Sequence, residues 1–212
     1  MSSQPRFDAA FQSRLRELLV WRRDVRRFRR VPLASGAVER LVDIARLAPS
    51  VGLSEPWRFV AVDDPGRRAA IRRNFELCNA DALAAQGGDR AANYARLKLA
   101  GLDDAPIHLA VFVEPDPAQG HGLGRRTMAE TIEYSAVAAI HTLWLAARAE
   151  GIGMGWISIV DPIRVAEIIE VPPYWKLIGY LCLGIPEGED DTPELERAGW
   201  ERRSGEATLI RR

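Results

Sequence analysis

Residues 127–150 restrict the fold of this 212-residue chain more than any other stretch. They read as one long helix, apolar on most sides through Val137, Ile140, Leu143 and Leu145, and ended by Gly151. A helix exposed on one side shows a single apolar stripe, so one this apolar belongs in a core or at a subunit interface. Hydrophobic residues make up 47% of the sequence, enough for such a core.

Shorter elements surround that helix. Phe11, Leu15, Leu18 and Leu19 follow helical spacing and predict a first helix ending near Trp21. Ser35 is the expected cap of a second helix carrying Val38, Leu41, Val42, Ala45 and Ala48, stopped by Pro49. A β-rich run covers 57–62, and Pro65 opens a third helix. Residues 107–113 are nearly continuously apolar, as in a strand covered on both faces. Further strands are expected at 154–160 and 177–183, with Asp161-Pro162 starting a helix through Ile169 between them. The alanine-rich stretch 80–104, broken by Gly87-Gly88, predicts helical pieces in a mobile insertion, and residues 193–212 an extended tail. The pattern is α+β within one domain spanning 1–212.

Several functional classes are disfavoured. Basic and acidic residues both number 29, so no global field draws the chain to nucleic acid or an anionic membrane. No apolar run reaches the roughly 20 residues of a membrane helix, and residues 1–14 lack the apolar core of a signal peptide. Cys78 and Cys182 suit free thiols in a reducing compartment. The expectation is a soluble, cytoplasmic protein. His108, His121 and His141 show no metal spacing, and His108 and His141 lie in apolar segments as core histidines would; no metal site is expected. Gly151, Gly153 and Gly155 precede a strand instead of following one, which excludes a dinucleotide loop. The acidic run Glu187, Glu189, Asp190 and Asp191 reads as a solvated loop.

The segment Arg22-Arg23-Asp24-Val25-Arg26-Arg27-Phe28-Arg29-Arg30 holds the densest chemistry. Arginines at a helix C-terminus favour its dipole, which makes a solvated helix end one reading. A nucleic-acid surface is a weaker one, because Phe28 is the run's only aromatic residue. The third is a phosphate clamp, in which Arg22 and Arg26, four apart, converge on one anion where helical geometry persists or the chain turns. Charge-assisted contacts contribute about 1.5–3 kcal/mol each, so two or three anchor a phosphate-bearing molecule. Asp24 either neutralises its neighbours or, turned away from the anion, moves a proton on whatever the phosphate carries.

The run Arg-Arg-X-X-Arg-X-Phe, followed by Ala48-Pro49-Ser50, Pro56-Trp57-Arg58-Phe59, the segment from Gly151 to Trp156, and the C-terminal Gly199-Trp200-Glu201-Arg202-Arg203, resembles the FMN-dependent nitroreductase-like superfamily over nearly the whole chain. Asp24 stands where most members carry serine. With Ser158 and the stretches 94–102 and 130–135, it is similar to the 5,6-dimethylbenzimidazole synthases of cobalamin lower-ligand biosynthesis. Leu53 replaces an asparagine common near the flavin, which argues against hydride-driven nitroreduction, and Glu55 replaces a glutamine.

The resemblance implies a central, mostly antiparallel sheet flanked by helices, with FMN at a homodimer interface. It implies that reduced FMN, delivered by a separate NAD(P)H-dependent flavin reductase, is fragmented with dioxygen to 5,6-dimethylbenzimidazole and erythrose 4-phosphate. Arg22, Arg23, Arg26 and Arg203 are assigned to the phosphate, and Ser50 and Leu99 to ribityl or ring contacts. Val25 joins the cofactor-binding set. Asp24 and Ser158, both also cofactor contacts, are the catalytic pair: Asp24 as general acid/base, Ser158 as hydrogen-bonding partner near the ring. The insertion 80–104 is expected to act as a lid. Two alternatives stand beside this: an NAD(P)H-dependent FMN nitroreductase or flavin reductase, and a non-catalytic flavin carrier.

Overall fold

The computed structural model describes residues 6–205 and 208–212. Four strands form one antiparallel sheet in the order β1-β2-β4-β3: β1 Trp57–Ala61, β2 Ile107–Val113, β3 Gly153–Ile157 and β4 Lys176–Gly184. β2 and β4 are central and buried on both faces. Along β2, Leu109 and Val111 enter the core beneath one layer of helices, while Ala110 and Phe112 enter the core on the other side. This two-sided burial is why the strand reads as an unbroken apolar run.

One layer consists of α2 (Ala37–Ala45) and α5 (Thr131–Ala149), which bury Leu41, Ile140 and Leu143 against Leu181 and Leu183. The other contains α3 (Pro65–Ala84) and α6 (Pro162–Ile169), which bring Ile71, Val165 and Ile169 to Phe28, Ile157 and Tyr180. Asp64 and Asp161 cap these two helices ahead of a proline, Asp64 accepting the backbone N–H of Arg67 and Asp161 those of Ile163 and Arg164. α1 (Ala9–Trp21) lies against α5 but buries none of its residues; Phe11, Leu15 and Leu19 remain exposed. Among the described residues no helix is long and apolar enough to cross a membrane.

Local expectations fail where side-chain caps or loops were decisive. Ser35 does not cap α2: Gly36, at φ 73°, holds that position and no side chain caps the helix. α5 starts at Thr131, not 127, because positive-φ glycines at 120, 122 and 124 keep the preceding chain in turns. β3 stops at Ile157. The stretch 80–104 begins inside α3, which runs unbroken to Ala84; α4 (Gly88–Ala95) follows the Gly87-Gly88 break. The tail is not wholly extended, since α7 (Glu194–Arg197) forms after Pro193 with Glu194 and Glu196 in a first turn that favours acidic side chains. His141 is exposed on α5, on the same side as Tyr134 and Val137, and is no core histidine. His108 is: it is buried, with Nδ1 2.9 Å from the Tyr180 hydroxyl.

Candidate active site

The helix α1 ends at Trp21, and the arginine run leaves it extended, Arg22 having φ −72° and ψ 107°. Residues 24–25 then run beside the edge of β3 away from β4, and Phe28 bridges Pro186 just beyond the end of β4. Asp24 forms a parallel bridge with Met154, and the Val25 N–H donates to the Met154 carbonyl at 3.0 Å. The glycines of β3 make this approach possible. A Cβ on Gly155 would stand 2.3 Å from the Val25 carbonyl oxygen, and one on Gly153 would stand 2.9 Å from a Val25 methyl group.

Asp24 is fixed by both carboxylate oxygens. Oδ1 accepts the Trp156 backbone N–H at 3.0 Å, and Oδ2 accepts Arg26 Nε at 2.7 Å. Arg26 also donates from Nη1 to the Lys98 carbonyl at 2.9 Å. Of the two ways in which Arg22 and Arg26 could converge, a continued helix or a turn of the chain, the extended backbone excludes the first, and Arg26 meets the carboxylate.

Arg22, Arg23, Asp24, Arg26 and Arg203 nevertheless line one cavity of about 130 Å³. The Arg22 guanidinium lies 4.5 Å from the centre of the Trp144 ring, a cation–π platform. Its Nε is buried with no hydrogen-bond acceptor among the described residues. Burial, and then the nearby charge of Arg203, lower the Arg22 pKa below the ordinary arginine value. Arg23 is lowered for the same reasons, with Arg22 a further contributor. Like charges gathered around an orphan donor suit an anion with several acceptor oxygens, such as a phosphate. The FMN phosphate therefore fits the residues present. A second cavity of about 230 Å³ shares Arg23, Asp24, Arg26 and Glu194 with the first and extends to Val25, Trp144 and Met154.

The other sequence-predicted residues divide. Ser158 is exposed two residues beyond Trp156, about 7 Å along extended chain from the amide that holds Asp24. Leu99 is half-buried next to Lys98, whose carbonyl holds Arg26. Ser50 is elsewhere. It accepts the Glu55 N–H at 3.2 Å in the loop leading into β1, at the opposite edge of the sheet from β3. Three strand spacings, about 14 Å, separate those edges.

The acidic run is an exposed loop, as its sequence reads, and it also meets the arginines around the cavities. The Asp191 carbonyl accepts Arg23 Nε at 2.9 Å, Glu189 pairs with Arg148, and Asp190 lies 3.3 Å from Arg197. The hydrogen bond from Arg148 holds the Glu189 carboxyl below its usual range. Trp144 is the other residue missed; its helical position signals burial but not the cation above it.

The nitroreductase family model matches residues 19–185. A 5,6-dimethylbenzimidazole synthase of Rhodospirillum rubrum is 54% identical over 203 residues, 96% of each chain. One of Rhodobacter capsulatus is 49% identical over 195 residues, 92% of this chain and 94% of the other. Among solved structures, an iodotyrosine deiodinase bound to FMN and 3-iodo-L-tyrosine superimposes with a TM-score of 0.72 at 22% identity, covering 93% of this chain and 97% of that one. A BluB-like flavoprotein from Clostridium difficile gives 0.67 at 19% identity over 93% and 99% of the two chains. The chain belongs to the nitroreductase family, and within it to the group of the 5,6-dimethylbenzimidazole synthases.

Proposed function

We infer that this protein fragments reduced FMN with dioxygen, releasing 5,6-dimethylbenzimidazole for the lower ligand of cobalamin, together with erythrose 4-phosphate. The observation that carries this reading is the cavity where Arg22, Arg23 and Arg203 converge while Asp24 stands in its wall. When bound, reduced FMN supplies the electrons for dioxygen and the carbons of the product.

The chain's own residues bind, orient and move protons. Arg22, with its uncommitted Nε, and Arg203 grip the phosphate; Arg23 joins them from its tether on Asp191. This leaves Asp24 facing the sugar-alcohol portion, where its carboxylate takes and returns protons. Val25 and Leu99 pack against the cofactor, and the Ser158 hydroxyl hydrogen-bonds near the ring. The insertion closes over the site and excludes water. Its seat is supported by Tyr94, which donates to Asn79 Oδ1 at 2.8 Å and meets the Trp200 ring edge-on at 5.9 Å.

A second copy of the chain completes the site. Ser50, at the far sheet edge, reaches the flavin of the partner, and the exposed apolar residues of α1 with Tyr134 and Val137 of α5 supply surface for the contact. A separate NAD(P)H-dependent flavin reductase delivers the reduced flavin.

The test is aerobic incubation of the protein with chemically reduced FMN and mass analysis of the products. The reading expects 5,6-dimethylbenzimidazole. Intact FMN recovered without product would make the protein a carrier, and bleaching of bound FMN by NAD(P)H alone would make it an ordinary nitroreductase.

A further inference from the structure

Residues 24–28 are clasped from two directions. Gly155 of β3 presses on the Val25 carbonyl, and Gly101 presses on Phe28: a Cβ at 101 would stand 2.3 Å from Phe28 Cε2 and 3.4 Å from the Arg26 carbonyl oxygen. The ribbon that carries Asp24 is therefore packed between the sheet edge and the segment following α4. Arg26 spans the same gap with its side chain, which is only 11% exposed. One nitrogen holds Asp24 Oδ2 and another holds the Lys98 carbonyl.

A carboxylate anchored by one oxygen still swings about its Cβ–Cγ bond. Oδ1 of Asp24 has such an anchor in the Trp156 N–H, and the second anchor is Arg26. Guanidinium is planar and offers its donors in fixed directions, so seating one edge on Lys98 sets where Nε points. We propose that Arg26 is a positioning residue for Asp24, and that through the Lys98 carbonyl it makes the carboxylate's orientation depend on how the segment after α4 is seated. This rests on the reading of Asp24 as the proton-moving group. It departs from the assignment of Arg26 to the phosphate, because its Nε is committed to the Asp24 carboxylate and its Nη1 to the Lys98 carbonyl.

The two roles separate by kinetics. A phosphate ligand governs affinity for FMN; a positioning residue governs turnover once FMN is bound. Arg26→Gln and Arg26→Lys are compared with wild type for benzimidazole formation from chemically reduced FMN in air, for FMN dissociation constants, and for peroxide released per flavin consumed. The proposal expects Arg26→Gln to lower kcat by about 100-fold, the scale of loss for a misplaced group. Its FMN Kd stays within about 3-fold of wild type, and flavin oxidation is diverted to hydrogen peroxide. Arg26→Lys, which keeps the charge but not the fork, restores part of kcat. If Arg26→Gln does not fold, a drop in kcat without a drop in affinity in Arg26→Lys supports the proposal alone. Weakened FMN binding at unchanged kcat in either folded variant, or no change in both, overturns it while the wild type still makes product. Absence of product from the wild type overturns the functional reading, and this proposal with it.

Discussion

The carboxylate of Asp24 accepts at 3.0 Å the backbone N–H of Trp156, a residue paired with Leu181 of β4 on one side only, just past the bridge of Asp24 to Met154. An edge strand otherwise leaves such an amide to solvent. The sheet itself thus aims the group assigned to proton transfer, and that group remains 30% exposed beside the arginine cavity.

Asp24→Asn retains an oxygen for the Trp156 amide but carries no exchangeable acid. Benzimidazole formation is expected to fall at least about 100-fold, the lower end of what a general acid/base contributes, with FMN affinity changed by less than about 3-fold. Single-turnover mass analysis beside fluorescence titration of FMN checks both. Ser158→Gly should give the same separation of binding from turnover. Full product yield from both variants would remove the catalytic assignment.

Arg203→Ala and Arg22→Ala each remove one charge-assisted donor. Each is expected to weaken FMN binding by about 10–100-fold, corresponding to about 1.5–3 kcal/mol. Riboflavin, which lacks the phosphate, should bind both variants as it binds wild type. Titrating the two flavins side by side distinguishes a phosphate contact from a general loss of the site.

Gly155→Ala places a methyl group 2.3 Å from the Val25 carbonyl oxygen, where backbone cannot yield cheaply. Overpacking of this kind costs about 1–3 kcal/mol, so the melting temperature should fall by about 2–10 °C in a chain of this size. Asp24 loses its register with Trp156 in the same variant, so calorimetry and product yield should decline together. A variant with wild-type melting and activity would show that the ribbon does not depend on this close approach.

His108 gives a pH dependence whose sign is fixed. Burial, and next the Arg68 charge, push its pKa down to about 4. The unfolded chain, titrating near the ordinary value of about 6.5, binds the proton between these limits while the native state does not. Stability from the neutral pair with Tyr180 is therefore complete above about pH 6.5 and declines as pH falls toward about 4, by about 3 kcal/mol. Urea midpoints across that range should drop for wild type, and flatten in His108→Gln relative to it.

Much of the scaffold was legible because it is encoded locally. Ile107–Val113 announced itself by two-sided burial, and Pro162–Ile169 by Asp161, whose Oδ1 accepts two first-turn amides. The arginine cluster was legible as chemistry but not as geometry. Arg22 and Arg26 do line one cavity, but from a chain that leaves α1 extended and with Arg26 turned to Asp24. The acidic run was legible as an exposed loop but its contact with the arginines was not, for a different reason. The contact between Arg23 and Asp191 joins residues 168 positions apart, and no periodicity in sequence reports such a pairing.

The most direct measurement is a crystal structure of the protein with FMN. The phosphate should lie within hydrogen-bonding distance of Arg22 and Arg203, with the Asp24 carboxylate against the ribityl chain and Ser50 contributed by the partner subunit. FMN seated away from the arginine cavity, or Asp24 remote from the bound molecule, would contradict the account.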